Sequence, residues 1–385
     1  APRNAKSGTI DNPFLDSFYT LASEDLKERS RAAQTMLHHC LLSSSANSKD
    51  AAYAFRRLLN GICSGRAAAR QGNASALASF LKLAFHLGKM QDIREEAGND
   101  SDAESLSLLA YVRHRLITAT DPHQITGKKK GSEERDYQFG RLFGVLSIVR
   151  SNILITQGDQ NGYEETKRVA SALAVDLAEL FWLKKWMREP AAHGITTLLK
   201  TFSEKNTAEH KGVAKHLVDK VVIPKLLLVG SNGEESESDH TRLVGSFCAE
   251  QLGVALFVQS QSTFVLTDAS FPLDQAIMSK ETVVLTAQAL SETSSVVLPR
   301  THFVWDSLWC YLFAPTGKSG SSKQKGSDHR FLRDCCPGGH ENSSEVLDLV
   351  IREVVMQKLL RLDPEKNAAS GKATHERRAL ALGII

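Results

Sequence analysis

Apolar residues recur along the first half of the chain at three- and four-residue spacing, the period of one face of a helix. Leu77, Leu81, Ala84 and Gly88 form one stripe with Phe80 between them, and Phe139, Leu142, Phe143, Leu146, Val149 and Ile153 form a second. A third, Leu173, Leu177, Leu180 and Met187, lies in a segment that breaks near Pro190. A fourth, Leu347, Val350, Ile351 and Val354, follows the capping candidates Ser343 and Ser344. Between residues 12 and 220 the pattern predicts helices near 12–21, 24–42, 50–60, 66–88, 103–119, 133–155, 163–187, 189–202 and 208–220. Short links and no strand-turn-strand signal make the fold class all-α. The expected architecture is an α-solenoid of HEAT or armadillo-like repeats, each helix pair burying its face against its neighbours. No strict sequence period accompanies it. Residues 12–220 read as N-terminal repeats and 221–385 as their continuation in one solenoid.

The stretch 221–300 is rich in β-branched residues and short apolar runs, which periodicity alone does not separate into helix or strand. Pro224 inside VVIPKLLLV, and Leu243, Phe247 and Leu252 leading into the next run, favour helix. Three segments read as loops. Residues 90–104 hold six acids against Arg94, and the acidic loop 230–240 holds four acids and no Lys or Arg. The basic loop 317–333 holds five cations against Asp328.

Composition narrows the class. With 42% hydrophobic and 24% charged residues the chain supports a buried core, and 47 cations against 44 acids leave a net charge of only +3. The six cysteines are widely spread, which favours a reducing compartment over a disulfide framework. VVIPKLLLVG, the most apolar run, is half the length of a membrane span and contains Lys225. The first residue, Ala1, and the helix-like ending HERRALALGII suggest a piece of a longer chain. The N-x-S sequons at Asn73, Asn99 and Asn342 read as chance matches.

Several chemistries fail on spacing. PTGKSGS around Lys318 lacks the first glycine of a phosphate-binding loop, since Leu312 stands there. Cys335, Cys336, His329 and His340 lack a metal-ligand spacing, and neither H-E-x-x-H nor G-x-S-x-G occurs. No role is assigned to His38, His39, His193, His210 or His216. Neither a cofactor, a metal nor a small-molecule substrate is expected, and no membrane.

The positive signal is electrostatic. Ala51 to Gln91 carries Arg56, Arg57, Arg66, Arg70, Lys82 and Lys89 and not one Asp or Glu. Arg66 and Arg70, four apart, are expected to share a helix face beside Arg56 or Arg57, a patch suited to phosphate oxygens or acidic protein segments. The alternative is a solvated helix face that only keeps the protein soluble. Lys128, Lys129 and Lys130 form a second cluster, with Glu133, Glu134 and Asp136 directly after it as first-turn acids. Lys318, Lys323 and Lys325 of the basic loop complete the candidate binding residues.

Five segments together resemble one family. They are YAFRRLLNGICSGRAAARQGNASALASFL (Tyr53 to Leu81), KGSEERDYQFGRLFGVLSIVRSNIL (Lys130 to Leu154), LKKWMREPA (Leu183 to Ala191), LPRTHFVWDSLW (Leu298 to Trp309) and THERRALALG (Thr374 to Gly383). In this order they resemble the N-terminal part of the DNA polymerase phi / Myb-binding protein family. The resemblance implies an armadillo-like protein of the nucleus and nucleolus, acting in ribosomal RNA synthesis, ribosome assembly and transcriptional co-regulation. Its partners would be ribosomal RNA or ribosomal DNA chromatin, and pre-ribosome assembly factors or transcription factors. Polymerase activity needs acids that jointly hold two metal ions. Neither a Y-x-D-T-D-S-type turn nor a D-x-x-S-L-Y-P-type strand is present. Asp136, the best isolated acid, reads instead as an ion-pair or helix-start residue. Arg135, Asp136 and Arg141 flanking Phe139, Leu142 and Phe143 are expected to lock neighbouring repeats, and Trp305, Asp306 and Trp309 to wedge between repeats. The expectation is thus a nonenzymatic scaffold that binds nucleic acid, with a pure protein adaptor as the alternative.

Overall fold

The computed structural model describes residues 12–98, 105–121, 130–155, 160–203, 205, 207–228 and 247–260. Among them every regular element is a helix. The chain forms two compact units, Ala1–Leu173 and Ala174–Ile385, with the boundary inside one long helix, Gln160–Leu183 (α8).

Short polar side chains start the helices of the first unit. The Asn12 oxygen accepts from the amides of Phe14 and Leu15 to cap α1 (Pro13–Thr20), and Pro13 sits where a missing N–H has no cost. Asp25 caps α2 (Leu26–Leu37) through the Lys27 amide, and Asn47 caps α3 (Ser48–Gly61) through the Asp50 amide. The helix foreseen at 24–42 ends in a wider π-type turn, His38–Leu42, where the Ser43 amide donates to the His38 carbonyl. The Lys89 ammonium donates to the Leu41 carbonyl there at 2.8 Å. Such carbonyls have no helical partner, and a cation at this end also meets the negative pole of the helix.

The central element is α4 (Ala67–His86), which packs on α2, α3 and α7 (Lys130–Arg150). Its Phe80 stacks on Phe55 of α3 with ring centres 5.8 Å apart. Leu58, Ile62, Leu77, Leu81, Leu116 and Val145 complete a core closed to solvent. Two glycines of the FGRLFG segment permit that packing. A Cβ on Gly140 would lie 2.4 Å from the Cys63 sulfur, and one on Gly144 2.0 Å from Leu116 Cδ1.

One predicted loop is partly a helix. Met90–Glu96 forms α5, because Met90 and Ile93, three residues apart, are buried while Asp92, Glu95 and Glu96 stay exposed. The run of acids masked this short stripe. After it, Ser107 caps α6 (Leu108–Ala119) by accepting from the Ala110 amide, and its hydroxyl donates to Glu165 of α8.

In the second unit α8 ends at Leu183, and Lys184 is extended before a short 3₁₀ turn, Lys185–Met187. The break therefore falls at Lys184. Pro190 lies instead in the first turn of α9 (Arg188–Ser203), where proline leaves no helical bond unmade. Thr207 caps α10 (Ala208–Leu217), which continues as a π-type segment, Val218–Leu227, containing Pro224. Its terminal carbonyls are satisfied by side chains: Trp182 Nε1 donates to Lys225 and Gln251 Nε2 to Leu226. Gln251 belongs to α11 (Ala249–Ser260), so the ambiguous region is helical at both 221–227 and 249–260. Phe181, Phe202, Leu199 and Leu226 lie in this unit's core. The loops at 230–240 and 317–333, residues 261–300, and Trp305, Asp306 and Trp309 lie outside the described residues.

Candidate functional site

The acid-free segment 51–91 supplies α3, the connection after it, α4 and the start of α5, and the four arginines take three different environments. Arg56 is exposed on α3 with its guanidinium 5.8 Å from the centre of the Tyr53 ring. Arg57, the next residue, reaches across to α1 and lies 5.4 Å from Phe18, 6.0 Å from Tyr19 and 6.0 Å from Tyr53. Three ring faces hold one cation in a fixed position, each contact contributing about 0.5–1 kcal/mol at an exposed site.

Arg66 does not continue the face of Arg70. Its backbone is extended, because it is the residue before α4, and its guanidinium donates to the Ala22 carbonyl at 3.1 Å. That carbonyl directly follows α1, whose last turn carries Tyr19. Arg57 and Arg66 therefore converge on the same end of α1 from opposite sides of the α3–α4 link. Arg29 of α2 joins them, donating to the carbonyls of Ser23 at 2.7 Å and Glu24 at 3.1 Å. Tyr19 is 73% exposed and Leu15, one turn earlier on the same helix face, is 41% exposed. The result is an outward surface of Arg56, Arg57 and Arg66 around Tyr19 and Tyr53, with Asp16, Glu24, Asp25 and Glu28 as nearby acids on α1, α2 and their link.

Arg70 belongs to the interior. Its side chain is 11% exposed and donates to the Ser64 carbonyl at 2.6 Å and to Asp136 of α7 at 3.3 Å, with its guanidinium 4.7 Å from the Phe139 ring. Burial lowers its pKa from the ordinary arginine value, opposed by the Asp136 carboxylate and assisted by nearby Arg135. Arg135 covers Phe139 as well, at 5.5 Å. Asp136 of E-E-R-D and Phe139 of F-G-R-L-F-G thus meet Arg70 of the basic segment in the α4–α7 seam, where Asp136 pairs with Arg70.

Among the other expected residues, Lys130 opens α7, while Lys128, Lys129, Lys318, Lys323 and Lys325 lie outside the described residues, as do Cys335, Cys336, His329 and His340. Tyr19, Leu15 and Arg29 were not foreseen. Tyr19 and Leu15 lie off the buried Phe14, Phe18 and Leu21 stripe of α1, a spacing legible in the sequence. Arg29 reaches the surface only through the fold of the α1–α2 link. Among the described residues no group of three or more His, Cys, Asp or Glu side chains is placed to hold a metal ion. No helix among them is long and apolar enough to cross a membrane.

Among the described residues, then, the elements are helices, and the N-terminal ones carry a surface that sets arginines beside the rings of Tyr19 and Tyr53. Residues 53–336 match the DNA polymerase phi family, and the chain belongs to that family. It is 32% identical over 191 residues to the rDNA transcriptional regulator pol5 of Schizosaccharomyces pombe, covering 49% of this chain and 16% of that protein. It is 29% identical over 203 residues to POL5 of Saccharomyces cerevisiae, also an rDNA transcriptional regulator, covering 50% and 19%. With Myb-binding protein 1A of Mus musculus the identity is 30% over 142 residues, covering 37% and 9%. The matched part is thus less than a fifth of the length of these relatives. No solved structure matches.

Proposed function

We propose that this chain is a nonenzymatic binding module acting in the control of ribosomal DNA transcription and ribosome biogenesis, in the nucleus and nucleolus. The two relatives described as rDNA transcriptional regulators support the process, and the third is described as a Myb-binding protein. The observation that carries the reading is the placement of Arg56 and Arg57 against Tyr53 and Tyr19, with Arg66 on the Ala22 carbonyl just past the same helix, while the fourth arginine is drawn into a helix seam. Guanidinium groups contact phosphate oxygens, and the exposed Tyr19 ring stacks on an unpaired base. Ribosomal RNA, or a strand of ribosomal DNA chromatin, is the ligand this chemistry suits, with little dependence on base sequence. Pairing of neighbours in sequence, α1 with α2, α3 with α4 and α9 with α10, is what supports a HEAT-like architecture, although α4 also packs on the more distant α7.

Fluorescence anisotropy with a single-stranded RNA tests it. Three phosphate contacts give a slope of log affinity against log salt of about −2, an affinity loss of about 20-fold between 50 and 200 mM salt. Replacing Arg56, Arg57 and Arg66 together by Gln should flatten the slope towards zero. An unchanged slope in that variant overturns the reading. A second reading, an acidic and apolar segment of a transcription or assembly factor, is favoured by the joint exposure of Leu15 and Tyr19. Tight binding of such a peptide with no measurable RNA binding would select it. Primer extension by the purified chain with Mg²⁺, lost on changing Asp136, would overturn the nonenzymatic reading.

A further inference from the structure

The α1–α2 link brings a hydroxyl and two guanidinium groups together. Ser23 lies between Ala22, whose carbonyl accepts from Arg66, and Glu24, whose carbonyl accepts from Arg29, and its own carbonyl also accepts from Arg29. Its hydroxyl donates to Glu28 Oε2 at 2.5 Å, and its oxygen accepts from the Asp25 amide at 3.1 Å. Ser23 keeps part of its surface in solvent, on a link outside any helix. Glu24 and Asp25 follow directly and Glu28 lies one turn on, so the segment presents carboxylates just after the hydroxyl. That is the chemistry a serine kinase with a basic substrate groove recognises.

We propose that Ser23 is a phosphorylation site whose phosphate is gripped by Arg29 and Arg66 and so masks the surface around Tyr19. The inference rests on the reading of that surface as one that binds anions. In the transfer, the γ-phosphoryl group of ATP passes to Ser23 Oγ. The bond from Pγ to the ADP oxygen breaks, the Oγ–P bond forms, and the hydroxyl proton goes to the kinase's base. The product has no proton to give Glu28, which it repels, and it adds a charge of about −1.5 to −2 with three acceptor oxygens. Arg66 and Arg29 already rest on the carbonyls of residues 22 to 24, so they turn to the phosphate without crossing the molecule. Arg66 is then engaged within the chain, and the remaining Arg56 and Arg57 face an internal anion.

The test uses the whole chain. An acid-directed serine kinase with Mg-ATP is applied to the folded protein and the product is mapped by mass spectrometry, with Ser23→Ala as the control. Phosphate at Ser23 is expected. A folded chain left unmodified at Ser23 overturns the proposal, whether or not a peptide of residues 18–30 is modified. The grip is read apart from RNA binding by ³¹P NMR on chain carrying phosphoserine at 23. The charged groups around the link are Glu24, Asp25 and Glu28, with Arg29 and Arg66 on its carbonyls and Arg57 over the rings at the end of α1. The arginines should lower its second ionisation below the value in the unfolded chain, and Arg29→Gln with Arg66→Gln should restore it. No lowering overturns the grip. In anisotropy, phosphorylation should weaken RNA affinity about tenfold at 100 mM salt, while Ser23→Ala treated the same way keeps it. Unweakened binding by the phosphorylated chain overturns the masking. If unmodified chain binds no RNA, the surface reading fails and the masking fails with it, while the NMR result still judges the site.

Discussion

Gly72 sets how closely α1 and its following turn approach α4. A Cβ built there lies 1.9 Å from the Leu21 carbonyl oxygen, 3.0 Å from the Leu21 carbonyl carbon and 3.0 Å from Arg29 Cδ. The obstructing atom is backbone, and Leu21 itself is fully buried, so the turn must retreat by more than 1 Å. Overpacking of this kind costs about 1–3 kcal/mol, and a backbone obstacle places Gly72→Ala at the upper end. Against it stands the gain from replacing glycine within a helix, about 1 kcal/mol. Gly212 supplies the reference, because it lies within α10 with nothing within 4 Å of the new methyl. Gly212→Ala should therefore stabilise by about 0.5–1 kcal/mol and Gly72→Ala should destabilise by about 2 kcal/mol. Urea unfolding followed by far-UV circular dichroism measures both. Because the turn that moves carries Ala22 and lies beside Tyr19, hydrogen exchange at the end of α1 should also quicken in Gly72→Ala. A Gly72→Ala protein at least as stable as the parent, with unchanged exchange, would refute the close approach.

Asp136→Ala leaves Arg70 in the α4–α7 seam without its carboxylate and should cost about 3 kcal/mol in a denaturant titration, whereas Arg70→Met with Asp136→Leu should recover part of it. Burial pushes the thiols of Cys40, Cys63 and Cys248 up to about 12. At pH 8 each should thus react with a maleimide about a thousandfold more slowly in the folded chain than in urea, as read by mass spectrometry. Burial also lowers the pKa of His210, with Lys205 adding to the effect and Glu209 opposing it. Below about pH 6.5 the unfolded chain takes up a proton that folded His210 resists, so stability of the second unit should fall as pH drops through that range. His210→Gln should flatten this slope. Glu165, held below the usual carboxylate range by its hydrogen bond to Arg168, with Ser107 also donating, works in the first unit. Its contribution is present above the unfolded carboxylate pKa and is lost as pH falls through the depressed value, a loss that Glu165→Gln should remove from acid titrations.

Among the described residues the helices were legible where one apolar stripe ran for two turns or more, as at Leu77 to Ala84 or Phe139 to Ile153; the stripe Leu347 to Val354 lies outside them. Where a stripe was only Met90 and Ile93, the surrounding acids dominated the reading. The π-type turns at His38–Leu42 and Val218–Leu227 were invisible because one extra residue per turn barely disturbs an apolar stripe. The basic segment was found by counting charges, yet counting does not distinguish Arg66 from Arg70. What separates them is the start of α4 and the presence of Asp136, 66 residues further on, across a seam that only folding creates. The ring cage of Arg57 was half written in the chain, since Tyr53 precedes it by one helical turn. The other half, Phe18 and Tyr19, comes from a different helix.

The two classes of arginine differ in how they meet dissolved salt. Ions screen a guanidinium in open water but hardly reach one closed between α4 and α7. On the proposed function, a wash at high ionic strength should therefore release a polyanion from Arg56, Arg57 and Arg66 while the Arg70–Asp136 pair keeps the α4–α7 seam closed.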